Sequence, residues 1–134
     1  MKIARHVIDD LVAHARADAP HECCGLLIGD RREVNASMRA RNREAGPTRY
    51  LIDPEDHFAA IHAARTAGKR VVGAYHSHPQ SAPVPSEADI AEATGGSDFL
   101  YVIVSLSQPA GEIKAYRIVR GSLVPVAYDV VSND

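Results

Sequence analysis

The run Phe99-Leu100-Tyr101-Val102-Ile103-Val104-Ser105-Leu106 has no polar face. Side chains alternate across a strand, so a strand that is apolar on both sides has to be covered on both sides. This excludes a sheet with one face in water and predicts a layered α/β arrangement with this strand near its middle. Arg70-Val71-Val72-Gly73-Ala74-Tyr75-His76 is a second short apolar run, preceded by the turn signal Ala67-Gly68-Lys69, and reads as another buried strand.

The flanking segments supply the covering layers. Residues 4–17 carry apolar side chains at Val7, Ile8, Leu11, Val12 and Ala15, the three-four spacing of an amphipathic helix. Residues 23–28 and 34–40 read as strands joined by the polar turn 29–33, and residues 48–52 as a third short strand. Asp53-Pro54-Glu55 opens a helix reaching about Ala67, with Asp53 as N-cap and Pro54 in the first turn. Residues 112–119 and 123–131 alternate and read as final antiparallel strands linked at Arg120-Gly121-Ser122. The expectation is α/β: one mixed β-sheet flanked by helices, in a single domain over residues 1–134, a length that buries an ordinary core without staples.

Composition narrows the function classes. A net charge of −2 gives no basic footprint for nucleic acid. No apolar run approaches the ~20 residues that span a bilayer, so no membrane segment is expected. Arg5-His6 is followed by Asp9-Asp10, unlike a secretory signal, so the expected location is cytoplasmic. Cys23 and Cys24 are adjacent, which is no disulfide framework; on a strand they face opposite ways, as buried reduced thiols. His6 and His14 flank Asp10 on one helical face and read as a solvated polar row. His57 and His62 fall on the second helix, and His21 adjoins Glu22 as a wall residue.

The chemistry concentrates at the end of the Arg70 strand. His76 and His78 share a face, with alpha carbons about 6.6 Å apart, so both imidazoles can converge on one ion. Pro79 ends the ladder, and after the loop 80–85 a helix begins at Ser86, placing Asp89 one turn in and pointed back toward the histidines. Two imidazoles and one carboxylate leave a tetrahedral zinc one position for water; iron, cobalt or manganese suit the same donors. Each piece alone has a plainer reading. His-x-His on a strand is structural, Ser86-x-x-Asp89 is a capping box, and Glu22 is a solvated loop acid. Nothing structural requires all of them together.

His76-x-His78, seven intervening residues, Ser86, two more and Asp89 resemble the signature of the JAMM (MPN-plus) metallopeptidases, and Pro20 to Gly29 resembles the start of that domain. The resemblance implies a JAMM or cytidine-deaminase-like architecture and one Zn2+ per chain on His76, His78 and Asp89. It implies Glu22 as the proton carrier and Ser86 as the donor to the oxyanion. It also implies hydrolysis of the amide bond after the C-terminal glycine of a ubiquitin-like or sulfur carrier protein adduct. The short loop 80–85 and the segment 42–54 are similar to the compact prokaryotic branch, whose partners end in Gly-Gly. An extended tail would lie beside a sheet edge, with Val84 and Pro85 as substrate-binding wall. A phage-tail-like cell-wall endopeptidase and a non-catalytic MPN-type interaction module are the alternatives. A zinc deaminase needs His-x-Glu and Pro-Cys-x-x-Cys, and neither occurs.

Overall fold

In the computed structural model, which describes residues 1–44 and 46–132, eleven elements follow one another along the described residues. They are β1 (Lys2–Ala4), α1 (Arg5–Asp18), β2 (Cys24–Gly29), β3 (Glu33–Ala40), α2 (Pro54–Thr66), β4 (Arg70–His78), α3 (Glu87–Ala91), β5 (Leu100–Ser105), β6 (Glu112–Val119), β7 (Ser122–Val126) and β8 (Asp129–Val131). All eight strands join one mixed sheet in the order β7-β6-β5-β4-β2-β3-β1-β8. β4 and β5 run parallel, as do β1 with β3 and β8, and the remaining pairs are antiparallel.

The order itself shows that the sheet curls. β7 and β8 occupy opposite edges, yet Val126 and Asp129 are three residues apart in the chain, a step of at most about 11 Å. Eight flat strands would hold their edges roughly 34 Å apart. The sheet therefore bends round on itself, and α1 packs against β1, β3, β4, β5 and β8. Its apolar stripe Val7, Leu11 and Ala15 is fully buried with Leu27, Tyr75, Leu100, Val102 and Val104. α2 packs on the other face against β2, β3 and β4, where Ala60 meets Leu26 and Ala74.

A register shift between Leu27 and Ile28, whose partners are Gly73 and Val71, leaves Val72 as an extra residue in β4. Val72 accordingly joins the α1 side, while Val71 and Ala74 both join the α2 side. Beyond the bulge the alternation puts Ala74, His76 and His78 on the α2 face, with Tyr75 and Ser77 beneath.

Four expectations are corrected. Leu100, Val102 and Val104 pack on the α1 side as required, but the other face of β5 is covered by loops rather than a full helix. Tyr101 Oη accepts from Gly95 N at 2.9 Å, and Ser105 Oγ donates to Ser81 O at 2.6 Å. The strand expected over 48–52 is reduced to one bridge, Asn42 with Ile52, because the Asn42 side chain takes the Leu51 N–H and the Arg49 carbonyl. The alternating run 123–131 breaks after Val126, and its second half crosses to the far edge to pair with β1, a strand the helical periodicity hid. His14 is not solvated but 4% exposed; its Nδ1 meets Tyr75 Oη at 2.8 Å and its Nε2 meets Asp18 at 3.3 Å. Among the described residues no helix is long and apolar enough to cross a membrane.

Candidate metal centre

β4 delivers His76 and His78, both buried, to one spot at its C-terminal end. The chain then leaves through a loop that is fastened to the sheet at successive points. His78 O accepts from Leu106 N at 3.2 Å, Ser81 O from Ser105 Oγ, and Pro83 O from Tyr116 Oη at 2.7 Å. That path fixes where α3 can begin. Ser86 caps it in a full capping box: Ser86 Oγ accepts from Asp89 N at 3.0 Å, and Asp89 Oδ2 accepts from Ser86 N at 2.9 Å.

The same Asp89 Oδ2 lies 3.1 Å from His76 Nε2 and 3.3 Å from His78 Nε2, and the two nitrogens are 3.2 Å apart. Four-coordinate zinc with bonds of about 2.0–2.1 Å has donor–donor edges of about 3.3–3.4 Å. The three atoms thus form one face of a tetrahedron of the size a zinc ion requires. The capping box and the convergence of Asp89 on the two histidines are a single geometry, because the cap is what aims the carboxylate. His78 Nδ1–H donates to Ala82 O at 2.8 Å, which leaves Nε2 with its lone pair toward the cluster. The Tyr50 ring stacks on His76 at 4.2 Å and 16°.

The electrostatics suit a cation. Burial pushes the Asp89 carboxyl up, but bonds from His76, His78 and Ser86 N–H overcome it and hold the group well below the carboxylate range. Burial lowers His76 despite its Asp89 contact, keeping it neutral. His78 is raised: burial lowers it, but Asp89 and the Ala82 carbonyl outweigh that.

Glu22 approaches from a different element, the coil between α1 and β2. It is 4% exposed, and its Oε1 is a buried atom with no hydrogen-bond partner. Burial, offset by His78 and reinforced by Asp89, pushes its carboxyl up to about 7. A carboxylate oxygen of Glu22 and one nitrogen from each of His76 and His78 lie within 4.8 Å of one another, so distance alone admits Glu22 as an alternative third ligand. Asp89 fits that position better, because its oxygen already touches both Nε2 atoms at the edge length of the tetrahedron. Glu22 Oε1 is left without a hydrogen-bond partner beside the two histidines.

The remaining sequence candidates take distinct places. Ser86 is exposed; accepting from Asp89 N uses a lone pair of its Oγ and leaves the hydroxyl proton to donate. Val84 is 52% exposed and Pro85 is buried, both on the loop that leads to Asp89. Cys23 and Cys24 are both buried and free, with thiols pushed up by burial to about 11 and about 12, so neither is a ready thiolate. Cys23 joins the α1-side core, and Cys24 stands opposite His76 in the ladder.

Two cavities meet the site. A groove of about 330 Å³ runs from Asp89 between Tyr50, Leu51 and Ile52 on one wall and Phe99 and Tyr101 on the other. A broader polar depression of about 870 Å³ lies beside Glu22, with His14, His21 and Arg43 among its lining residues. Sequence reasoning did not find Tyr50 or His57 as groove residues, nor the placing of Asn42 against Glu22. Only the similarity of segment 42–54 to compact prokaryotic domains hinted at that region.

Comparison with known proteins shows the family and the fold. The family profile described as prokaryotic homologs of the JAB domain (Prok-JAB) matches residues 4–119. A desampylase of Haloferax volcanii is 37% identical over 124 residues, covering 87% of this chain and 86% of that protein. A CysO-cysteine peptidase of Mycobacterium tuberculosis is 37% identical over 136 residues, 98% of this chain and 91% of the relative. Among solved structures, the solution structure of a protein from Desulfitobacterium hafniense superposes with a TM-score of 0.90 at 28% identity, covering 98% of this chain and 94% of that one.

Proposed function

Because this chain belongs to the Prok-JAB family of JAB/MPN domains, we propose that it is a zinc metallo(iso)peptidase. As one catalytic domain over residues 1–134, it hydrolyses the amide bond after the C-terminal glycine of a ubiquitin-like or sulfur carrier protein adduct. The observation that carries the reading is the convergence of His76 Nε2, His78 Nε2 and Asp89 Oδ2 at tetrahedral edge lengths beside the buried Glu22, whose Oε1 has no hydrogen-bond partner. The names of two relatives, a desampylase and a CysO-cysteine peptidase, support a carrier–adduct substrate, and the buried thiols suit the reducing cytoplasm.

His76, His78 and Asp89 would hold one Zn2+, which supplies Lewis acidity toward the scissile carbonyl and acidifies a coordinated water. Glu22 takes the proton released by the attacking water and returns it to the leaving amine. The Ser86 hydroxyl donates to the carbonyl oxygen as negative charge develops there. The diglycine tail lies extended, bounded by Val84 and Pro85 on the loop side and by the groove at Tyr50, Leu51 and Phe99 on the other.

The decisive experiment incubates the zinc-loaded protein with a panel of purified carriers ending in Gly-Gly, joined through an amide to cysteine or through an isopeptide to lysine. Mass spectrometry follows release of the free carrier. Hydrolysis of one adduct class, abolished by a strong chelator and by Glu22→Gln, is expected. No cleavage of any adduct, or unchanged rates in chelator, overturns the reading.

A further inference from the structure

We infer that Asn42 is a positioning residue for Glu22: its amide nitrogen anchors the Glu22 backbone and ties it to Arg49 O of the loop that walls the groove, while its oxygen closes that loop. The inference rests on the reading of Glu22 as proton carrier.

Glu22 lies outside the sheet that carries the histidines. Its backbone is held by hydrogen bonds from a single loop, residues 42–52: Glu22 N donates to Gly46 O at 2.8 Å, and Glu22 O accepts from Asn42 Nδ2 at 3.0 Å. Since Oε1 has no partner to aim it, the direction of the side chain depends on where the main chain is held. Asn42 also organises the loop itself. Its Nδ2 donates to Arg49 O at 3.1 Å, and its Oδ1 accepts from Glu44 N at 3.0 Å and Leu51 N at 2.9 Å. Two donors and two acceptor sites are all a carboxamide has, and every one is used.

The loop is pinched at its base, where Asp53 N donates to Arg41 O at 3.0 Å and Arg41 pairs with Asp53 at 2.8 Å. It carries Tyr50, stacked on His76, and Leu51 and Ile52, which line the groove. One amide therefore registers the proton carrier against both the ligand shell and the substrate channel. Displacing a reacting group by about 1 Å can cost on the order of 100-fold in rate, so this registration bears on turnover.

Asn42→Asp removes the bonds to Glu22 O and Arg49 O and keeps the oxygen's two bonds within the loop. The shape is kept and an oxygen still accepts from Glu44 N and Leu51 N, but both donors are gone and an oxygen faces the Glu22 carbonyl. In the zinc-loaded full chain, acting on the adduct that the wild-type protein cleaves, kcat should fall at least about 10-fold while KM stays within about twofold. Bound zinc should stay at wild-type stoichiometry. Amide hydrogen exchange followed by NMR should show the Glu22 N–H losing protection while the Leu51 N–H keeps it. Asn42→Ala, which removes all four bonds, should raise KM as well and expose both amides; should Asn42→Asp not fold, Asn42→Ser is read out in the same way.

Wild-type kcat in Asn42→Asp, or an unchanged exchange rate at the Glu22 amide, overturns the inference. So does a joint fall of kcat, zinc content and Tm with a raised KM, which would mean general disruption. Glu22→Gln keeps the two readings apart: if it still turns over, the reading of Glu22 fails and the inference goes with it. If Glu22→Gln is inactive and Asn42→Asp is fully active, only the inference fails.

Discussion

Replacing Glu22 by Gln should stabilise the metal-free protein, and the gain should grow with pH. The Glu22 carboxyl is almost fully buried and pushed up by that burial from 4.5 to about 7. Below about pH 4.5 the group is protonated in both folded and unfolded chains and costs nothing extra. Between 4.5 and 7 the unfolded chain ionises while the folded one stays protonated, so the unfolded state is progressively favoured. Above 7 the penalty is complete. A difference of about 2.5 pKa units at about 1.4 kcal/mol each amounts to roughly 3 kcal/mol. Glutamine has the same shape and no charge, and its own burial cost does not change with pH. The stability advantage of Glu22→Gln over wild type should thus widen by about 3 kcal/mol between pH 4.5 and pH 8. Urea unfolding of both proteins in excess chelator at several pH values measures it. Saturating zinc should shrink the gap, since a nearby cation favours the ionised carboxylate. A gap that stays flat or narrows as pH rises would refute the reasoning and place the Glu22 carboxylate in a hydrated setting.

Other perturbations test separate parts of the site. Asp89→Ala deletes one donor and the capping box together, so zinc affinity by competitive titration should fall by more than about 100-fold; unchanged affinity would make Glu22 the third ligand. Ser86→Ala should retain zinc, lose about 1 kcal/mol of stability with the cap and lower kcat by about 100-fold. Zinc retention measured with a chromogenic chelator should decline as pH drops through about 6, because protonation of the imidazole ligands competes with the metal. Gly25→Ala drives a Cβ into the Tyr75 ring and the Met38 backbone carbonyl. It should cost about 1–3 kcal/mol in chemical denaturation by overpacking, and its failure to do so would show that both the Tyr75 ring and the Met38 backbone can give way.

Much of the site was legible because its parts are local. A period of two along β4 puts His76 and His78 on one face whatever the rest of the chain does. The Ser86 cap and Asp89 are one helical turn apart, so the capping box that aims the carboxylate is written in four consecutive residues. The α2 start at Asp53-Pro54 and the polar turn after β2 are equally local, and all formed where their residues require. Legibility ended where a residue's fate depends on distant partners. His14 sits on a helix whose pattern suggested a wet face, yet Tyr75, sixty-one residues away, turns it inward. The run 123–131 alternates throughout, but alternation does not say which edge a strand joins.

From the chain alone came the donor set, its spacing and the layered α/β class, since these follow from side-chain chemistry and the short-range periods of helix and strand. Folding decided that Glu22 meets two histidines more than fifty residues downstream, and that its backbone hangs on the loop of Asn42. It also decided that the sheet curls until its two edges lie beside one chain turn. Those outcomes depend on how strands order and bend around α1, a property of the whole packed sheet that no window of residues contains.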